Sequence, residues 1–281
     1  MTLQLMSKRT SAEPATVSPL QFQLETARQV QSRMLRPSSP AMTTLEYDGR
    51  CYPATDIGGD YYDFLSPRPG YLGLAVGDVS GKGIAAALML ASLQSSLRTL
   101  YAAGLGDMES ALVAANELFR RGTASRHYAS LFLAEFDDTS RRLRYVNCGH
   151  VAPLVLRRNG QVVRLAPTTT VLGLFADWTP VVGSIDLYPG DTLVAVSDGI
   201  SEAANAMDVE FGRRRFVEVA RRYRSLPVAG LLKKLLTACR EFAATEPEDD
   251  MTLVVARATS HPAEAANESH AQVPMERSRV A

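Results

Sequence analysis

Tyr71-Leu-Gly-Leu-Ala-Val-Gly-Asp-Val-Ser-Gly-Lys-Gly-Ile84 is an apolar run with strand-like alternation that ends in an acid and a glycine-rich loop. Leu72, Leu74 and Val76 share one face, and Asp78 follows in phase with them. A carboxylate at the end of a buried strand is costly unless something compensates it. Gly77, Gly81 and Gly83 allow a tight turn and a close approach of backbone to a ligand. A helical pattern begins directly after them. Taken alone, the stretch also suits a turn whose Asp caps the next helix, so the other acids decide its meaning.

Upstream, residues 45–52 read as a strand broken by Pro53, followed by Asp56-Ile-Gly-Gly-Asp-Tyr-Tyr-Asp-Phe64. Asp60, Tyr62 and Phe64 fall on one face, Tyr61 and Asp63 on the other. The Ser66–Gly70 cluster, with two prolines, turns this strand back into the opening stretch. In such an antiparallel hairpin the start of one strand lies beside the end of the other, which predicts that Asp60 and Asp78 are neighbours.

The grammar of strand, acid and glycine recurs downstream. Thr192–Val196 is apolar and runs into Ser197-Asp198-Gly199, with Thr192, Val194 and Val196 in phase with Asp198. Glu202 follows. Glu246-Pro-Glu-Asp-Asp250 leads into a last strand, Met251–Ala256. Between these parts, helices are expected over 84–103, 108–121, 213–223 and 227–244, and hairpin-like pairs over 129–147 and 154–165, the latter turning at Asn159-Gly160. Residues 166–187 carry no assignable pattern, and Asn205–Gly212 is a polar, mobile-looking segment.

The 281 residues are 46% hydrophobic and 21% charged, the balance of a chain with a sizeable core. Thirty basic residues offset thirty acidic ones, so there is no electrostatic footprint for nucleic acid or membrane. Cys51, Cys148 and Cys239 are scattered and odd in number, which implies buried thiols rather than a disulfide framework. No membrane-spanning run and no signal-peptide pattern is present, so a cytoplasmic location is expected. Residues 1–17 and 259–281 lack periodicity and are expected to be disordered. Ser18-Pro19 starts a helix over 18–37 with Leu20, Leu24, Ala27, Gln31 and Met34 on a short seam. That helix either packs on its own domain or serves as a dimer contact or signalling linker. No sensor domain is expected ahead of it.

Asp60, Asp78, Asp198 and Asp249, with Asp250 beside the last, thus sit at the ends of otherwise apolar strands. Gathered carboxylates raise one another's pKa values unless divalent cations neutralise them. All-oxygen donors without Cys or paired His favour Mg²⁺ or Mn²⁺ over Zn²⁺. Two such ions are a device for phosphate-ester hydrolysis.

Ile57-Gly-Gly-Asp-Tyr-Tyr-Asp63, Gly77-Asp-Val-Ser-Gly-Lys-Gly83, Asn147-Cys-Gly-His150, Pro189-Gly-Asp191, Ser197-Asp-Gly199 with Glu202, and Asp249-Asp-Met-Thr252 occur in that order. Together they resemble the bacterial metal-dependent serine phosphatases of the stage-II-sporulation-E and sigma-factor-regulator type, relatives of the eukaryotic type-2C protein phosphatases of the PPM family. The likeness covers about residues 20–257, and Gln29–Pro37 resembles the helix ahead of this domain. It implies an α/β (α+β) four-layer αββα sandwich, two antiparallel sheets flanked by helices, with the phosphatase domain over 38–258. It implies hydrolysis of phosphoserine or phosphothreonine on a small anti-sigma-factor-antagonist protein by a metal-activated water, without a covalent phosphoenzyme. By position, Asp78 would bridge two Mn²⁺ or Mg²⁺ ions, with the Val79 carbonyl completing one site. Asp198 and Asp249 would hold the other ion, Asp60 would stand in or next to the shell, and Gly59 would let the backbone pass close.

The sequence departs from the eukaryotic pattern at two places. Ser80 stands where those relatives carry a histidine acid, and Pro53-Ala-Thr55 stands where they carry a phosphate-binding Arg. Ser197 replaces a frequent Thr. The Gly77–Gly83 loop has the wrong spacing for a nucleotide P-loop. His150 is read as structural, Asp63 as solvated or locally bonded, Asp250 as a spare acid near the metals, and Arg213-Arg-Arg215 as a solvated face or a dock for an acidic partner. A cyclase-like metal enzyme and a catalytically silent partner-binding module of the same fold are the competing readings.

Overall fold

The computed structural model describes residues 18–35, 37, 39–102, 107–123, 126–243 and 247–260. The segment 1–17, the tail from 261 onward and the helix stop at Gly104–Gly106 lie outside the described residues.

The elements run α1 (Pro19–Met34), β1 (Leu45–Tyr52), β2 (Asp60–Leu65), β3 (Tyr71–Val79), α2 (Gly83–Ala102), α3 (Met108–Gly122), β4 (Ala129–Asp137) and β5 (Arg142–Cys148). They continue with β6 (Leu154–Leu156), β7 (Val162–Arg164), β8 (Gly183–Asp186), β9 (Thr192–Val196), α4 (Asp198–Ser201), α5 (Gly212–Arg222), α6 (Val228–Phe242) and β10 (Met251–Ala258). The strands build two antiparallel five-stranded sheets, one ordered β1-β10-β9-β6-β7 and the other β2-β3-β4-β5-β8.

Strand alternation sorts the apolar residues into three layers. Leu72, Leu74 and Val76 of β3 meet Leu193 and Ala195 of β9 and Val254 and Ala256 of β10 between the sheets. The opposite face of β3, Ala75 and Val79, packs with Leu90, Leu93 and Leu97 of α2 and Leu112 and Phe119 of α3. On the far side, Val194, Leu253 and Val255 pack under Phe216 of α5 and Leu231, Leu232 and Leu235 of α6. The result is the expected αββα sandwich.

Three local readings change. Gly77 makes no turn: it lies inside β3, where an added Cβ would stand 2.8 Å from the Tyr61 ring, so its smallness serves packing. Asp63 is not solvated: its carboxylate is 1% exposed as a residue and pairs with Arg98 of α2 at 2.7 Å. The unassigned span 166–187 contributes β8, an edge strand paired with β5.

Helix α1 starts with a reciprocal capping box, in which the Gln21 N–H donates to Ser18 Oγ and the Ser18 N–H donates to Gln21 Oε1. Its seam divides. Leu24, Ala27 and Gln31 are partly covered, whereas Leu20 and Met34 are 62% and 39% exposed. Gln31 grips the backbone of Gly58, donating to its carbonyl at 2.7 Å and accepting from its N–H at 3.2 Å. The Met34 carbonyl accepts from Gln94 and Arg98 of α2. The helix therefore packs on its own domain and leaves Leu20, Phe22 and Val30 exposed.

Candidate metal-dependent active site

The hairpin of β2 and β3 places Asp60 directly opposite Asp78, as their positions in sequence predict. The other sheet brings Asp198, at the start of α4 just beyond β9, and Asp249, just ahead of β10. β9 and β10 are neighbours, so the four carboxylates gather where the two sheets end together. Two close approaches make this possible. A Cβ on Gly199 would lie 2.1 Å from the Asp250 carbonyl oxygen, so only glycine lets the Asp198 turn reach the Asp249 segment. A Cβ on Gly59 would lie 3.0 Å from the Val79 carbonyl oxygen, next to Asp78.

Asp250 differs from its neighbour Asp249. It is buried and accepts from the backbone N–H groups of Ala54 and Gly59 at 2.8 Å and of Asp60 at 3.3 Å. It is a clamp on the loop that carries Asp60. Ser197 secures the same junction, donating to the Asp250 carbonyl and accepting from the Thr252 N–H. Asp249 faces solvent and pairs with Lys82 at 3.2 Å.

The electrostatics are those of acids short of positive charge. Burial, then the Asp78 charge, push the Asp60 carboxyl well above the usual carboxylate range. One Asp60 oxygen is buried with no hydrogen-bond partner. Burial and the charges of Asp198, Asp249 and Asp250 raise Asp78 to about 7, with Lys82 pulling the other way. Burial and Asp249 also raise Asp198. Buried oxygens with raised pKa values and an orphaned carboxylate oxygen suit a hard divalent cation. The donors are nevertheless not closed around one point: among the described residues no three Asp, Glu, His or Cys side chains are arranged to hold one ion. Asp249, turned onto Lys82, is one of the side chains that would have to be released.

Two side chains singled out in the sequence are bound up in structure. Ser80 Oγ accepts from the Tyr128 N–H at 3.0 Å, and the Ser80 N–H donates to the Tyr128 carbonyl, which staples the loop after β3 to β4. His150 is buried beside Ser130 Oγ, 2.7 Å from Nδ1, and burial lowers its pKa to about 4. Pro53-Ala-Thr55 supplies no Arg, and the nearby Arg50 pairs with Asp48. The Asn205–Gly212 segment closes on itself, with the Asn205 side chain accepting from the Met207 and Val209 N–H groups. Two further residues were not legible in the sequence as parts of the site. Lys82 is one, although a lysine between two glycines one turn past the key acid was a signal. Gln31 is the other, and nothing in its helical pattern marked it.

A cavity of about 190 Å³ opens beside the acids, lined by Lys82, Asp198, Gly199, Glu202, Glu248 and Asp249 among others. The model of the family described as Stage II sporulation protein E (SpoIIE) matches residues 68–259, which takes in β3, Asp198, Asp249 and the cavity.

The chain belongs to the SpoIIE family.

Relatives within reach of this SpoIIE-family chain include Protein IcfG of Synechocystis, 27% identical over 223 residues, covering 70% of this chain and 35% of IcfG. Phosphoserine phosphatase RsbU of Bacillus subtilis is 23% identical over 239 residues, covering 85% of this chain and 70% of RsbU. The chain thus spans about a third of the length of IcfG. Among solved structures, the SiaA-PP2C domain of Pseudomonas aeruginosa superposes with a TM-score of 0.73 at 20% identity, covering 85% of this chain and 96% of that one. The catalytic domain of the serine/threonine phosphatase PstP, solved with two manganese ions, superposes with a TM-score of 0.58 at 17% identity, covering 77% and 99%. These likenesses establish a type-2C phosphatase fold. Among the described residues no helix is long and apolar enough to cross a membrane.

Proposed function

We propose that the chain is a divalent-metal-dependent protein serine/threonine phosphatase. Its substrate would be the phosphoserine or phosphothreonine of a small regulatory protein of the anti-sigma-factor-antagonist kind. The observation that carries this reading is the meeting of Asp60 and Asp78 from one sheet with Asp198 and Asp249 from the other, with burial and mutual repulsion raising three of the four. The similarity to RsbU, a phosphoserine phosphatase, supports the substrate class, and the manganese in PstP supports the metal class. Asp60, Asp78, Asp198, Asp249 and the Val79 carbonyl are the groups that would hold Mn²⁺ or Mg²⁺. When bound, such ions supply Lewis-acid activation of a water and neutralise charge on the phosphoryl oxygens. The protein's own part is to position these oxygens: Asp250 and Gln31 hold the 54–60 loop, Gly199 lets the Asp198 turn close in, and Ser80 fixes the end of β3. Ser80 Oγ accepts in that staple, and an alcohol is a far weaker acid than the histidine it stands in for.

The test is phosphate release from a phosphoserine protein and from an aryl phosphate in Mn²⁺, Mg²⁺ and EDTA, for the natural chain and Asp198→Asn. Metal-dependent turnover that falls at least about 100-fold in Asp198→Asn is expected, since losing a ligand forfeits several kcal/mol of charge stabilisation. A folded chain that binds Mn²⁺ and turns over neither substrate would instead be a silent partner-binding module.

A further inference from the structure

Among the described residues lining the cavity beside the acids, Lys82 is the only cation, facing Asp198, Glu202, Glu248 and Asp249. Its ammonium donates to the Glu248 carbonyl at 3.0 Å and pairs with Asp249 Oδ2 at 3.2 Å. Both side chains are largely open to water, 68% and 51% exposed. An ion pair in that setting is worth at most about 1 kcal/mol, so each partner can be exchanged for a stronger one. Lys82 sits on a four-carbon stem with freely turning bonds and can leave Asp249 without any backbone shift. It is flanked by Gly81 and Gly83, both with positive φ, on a loop whose base is pinned by the Ser80–Tyr128 staple.

Two facts about the surroundings give this cation a task. The acid cluster is not closed around any point, and Asp249, which the proposed function makes a metal ligand, is occupied by Lys82. The cavity also offers a dianionic phosphate no Arg: Arg50 is committed to Asp48, and Pro53–Thr55 hold no base. A divalent ion on Asp249 would stand a few Å from the ammonium, and like charges at that distance repel. The displaced ammonium keeps the Glu248 carbonyl and the Glu202 and Glu248 carboxylates around it, and the phosphate that enters with the substrate adds a dianionic partner in the same cavity.

We propose, resting on the phosphatase reading above, that Lys82 serves two anions in turn. It holds Asp249 while the site is free of metal, and when a divalent ion takes Asp249 its ammonium becomes the protein's own contact to the phosphate group. In the first role it competes with the metal; in the second it binds substrate and the phosphate product.

The experiment compares the full natural chain with Lys82→Gln and Lys82→Arg. Mn²⁺ affinity is read from free-ion electron paramagnetic resonance. Inorganic phosphate binding to the Mn²⁺-loaded chain is read by calorimetry, and KM and kcat for an aryl phosphate are read at saturating Mn²⁺. Removing the competitor should tighten Mn²⁺ binding about three- to fivefold in Lys82→Gln, the equivalent of a pair worth at most about 1 kcal/mol. Losing a charge-assisted contact should weaken phosphate and raise KM at least about tenfold, with Lys82→Arg keeping most of the affinity. Unchanged Mn²⁺ affinity in Lys82→Gln, with an unchanged melting curve, overturns the competition. Unchanged phosphate binding overturns the contact. A natural chain that binds Mn²⁺ but releases no phosphate from any substrate defeats the phosphatase reading alone, because the Mn²⁺ and inorganic phosphate titrations still decide what Lys82 does.

Discussion

Asp60 and Asp78 stand opposite each other in β2 and β3; burial and the Asp78 charge raise Asp60, and burial and the charges of Asp198, Asp249 and Asp250 raise Asp78. This has a consequence for stability in the absence of metal. Asp78 titrates at about 7 in the folded chain. A carboxyl whose folded pKa lies above its unfolded one binds a proton more tightly when folded. Its stabilising contribution is complete below the ordinary carboxylate range and is lost as pH rises through about 7. In EDTA, the melting temperature of the natural chain should therefore fall between about pH 4 and pH 7 relative to Asp78→Asn, and Mn²⁺ should remove that difference. His150 works in the opposite sense. With its pKa lowered to about 4, it costs stability as pH falls from the ordinary histidine range, and it does so in both chains. The comparison with Asp78→Asn thus cancels His150 and reports Asp78 together with the part of the Asp60 shift that the Asp78 charge causes. A natural chain and an Asp78→Asn chain with parallel pH profiles in EDTA would rule this account out.

At the scale of elements, the acids are held by helices through a few polar ties that reach across the layers. Arg98 of α2 donates to both oxygens of buried Asp63 in β2, three residues from Asp60, and also to the Met34 carbonyl at the end of α1. Gln31 of α1 completes the ring by gripping Gly58. Arg98→Ala leaves a buried carboxylate uncompensated. The full penalty for breaking a buried pair is about 3–5 kcal/mol, and the half-open position of Arg98 reduces it to roughly 2 kcal/mol. Thermal unfolding should show a drop of roughly 4–8 °C. Adding Asp63→Asn to Arg98→Ala should recover part of the loss, because the stranded charge is gone. A double variant no more stable than Arg98→Ala would assign the cost to lost packing instead.

At the scale of the molecule, the site exists because two sheets end at the same place, so the core between the sheets is what keeps the four acids together. Phe132 of β4 is fully buried in that core, within 5.9 Å of the Tyr145 ring centre to centre. Phe132→Ala should cost about 3–5 kcal/mol in denaturant unfolding, through lost burial and the cavity left behind. Mn²⁺ should recover part of it by binding only the folded chain. A cost below about 1 kcal/mol would mean that the sheets do not depend on this layer. Much of this architecture was legible in the amino-acid sequence. Alternation with period two assigned Leu72, Leu74, Val76 and Asp78 to one face, and an antiparallel hairpin brings the start of β2, with Asp60, beside the end of β3, with Asp78. The repeated ending of apolar strand, acid and glycine marked Asp198, and the acids leading into the last strand marked the Asp249–Asp250 pair. These features are local, set by side-chain periodicity and turn chemistry over a few residues. What the sequence by itself determined is therefore most of the elements and the candidate acids, with the layers implied by the family resemblance. Only the tertiary structure decided how each acid is used. Asp249 and Asp250 are adjacent and chemically identical, yet one is a buried clamp on the 54–60 loop and the other an exposed partner of Lys82. Asp63 needed Arg98, thirty-five positions away, to be seen as a buried ion pair. Burial and charge pairing depend on neighbours brought from distant parts of the chain, and periodicity along one element carries no record of them.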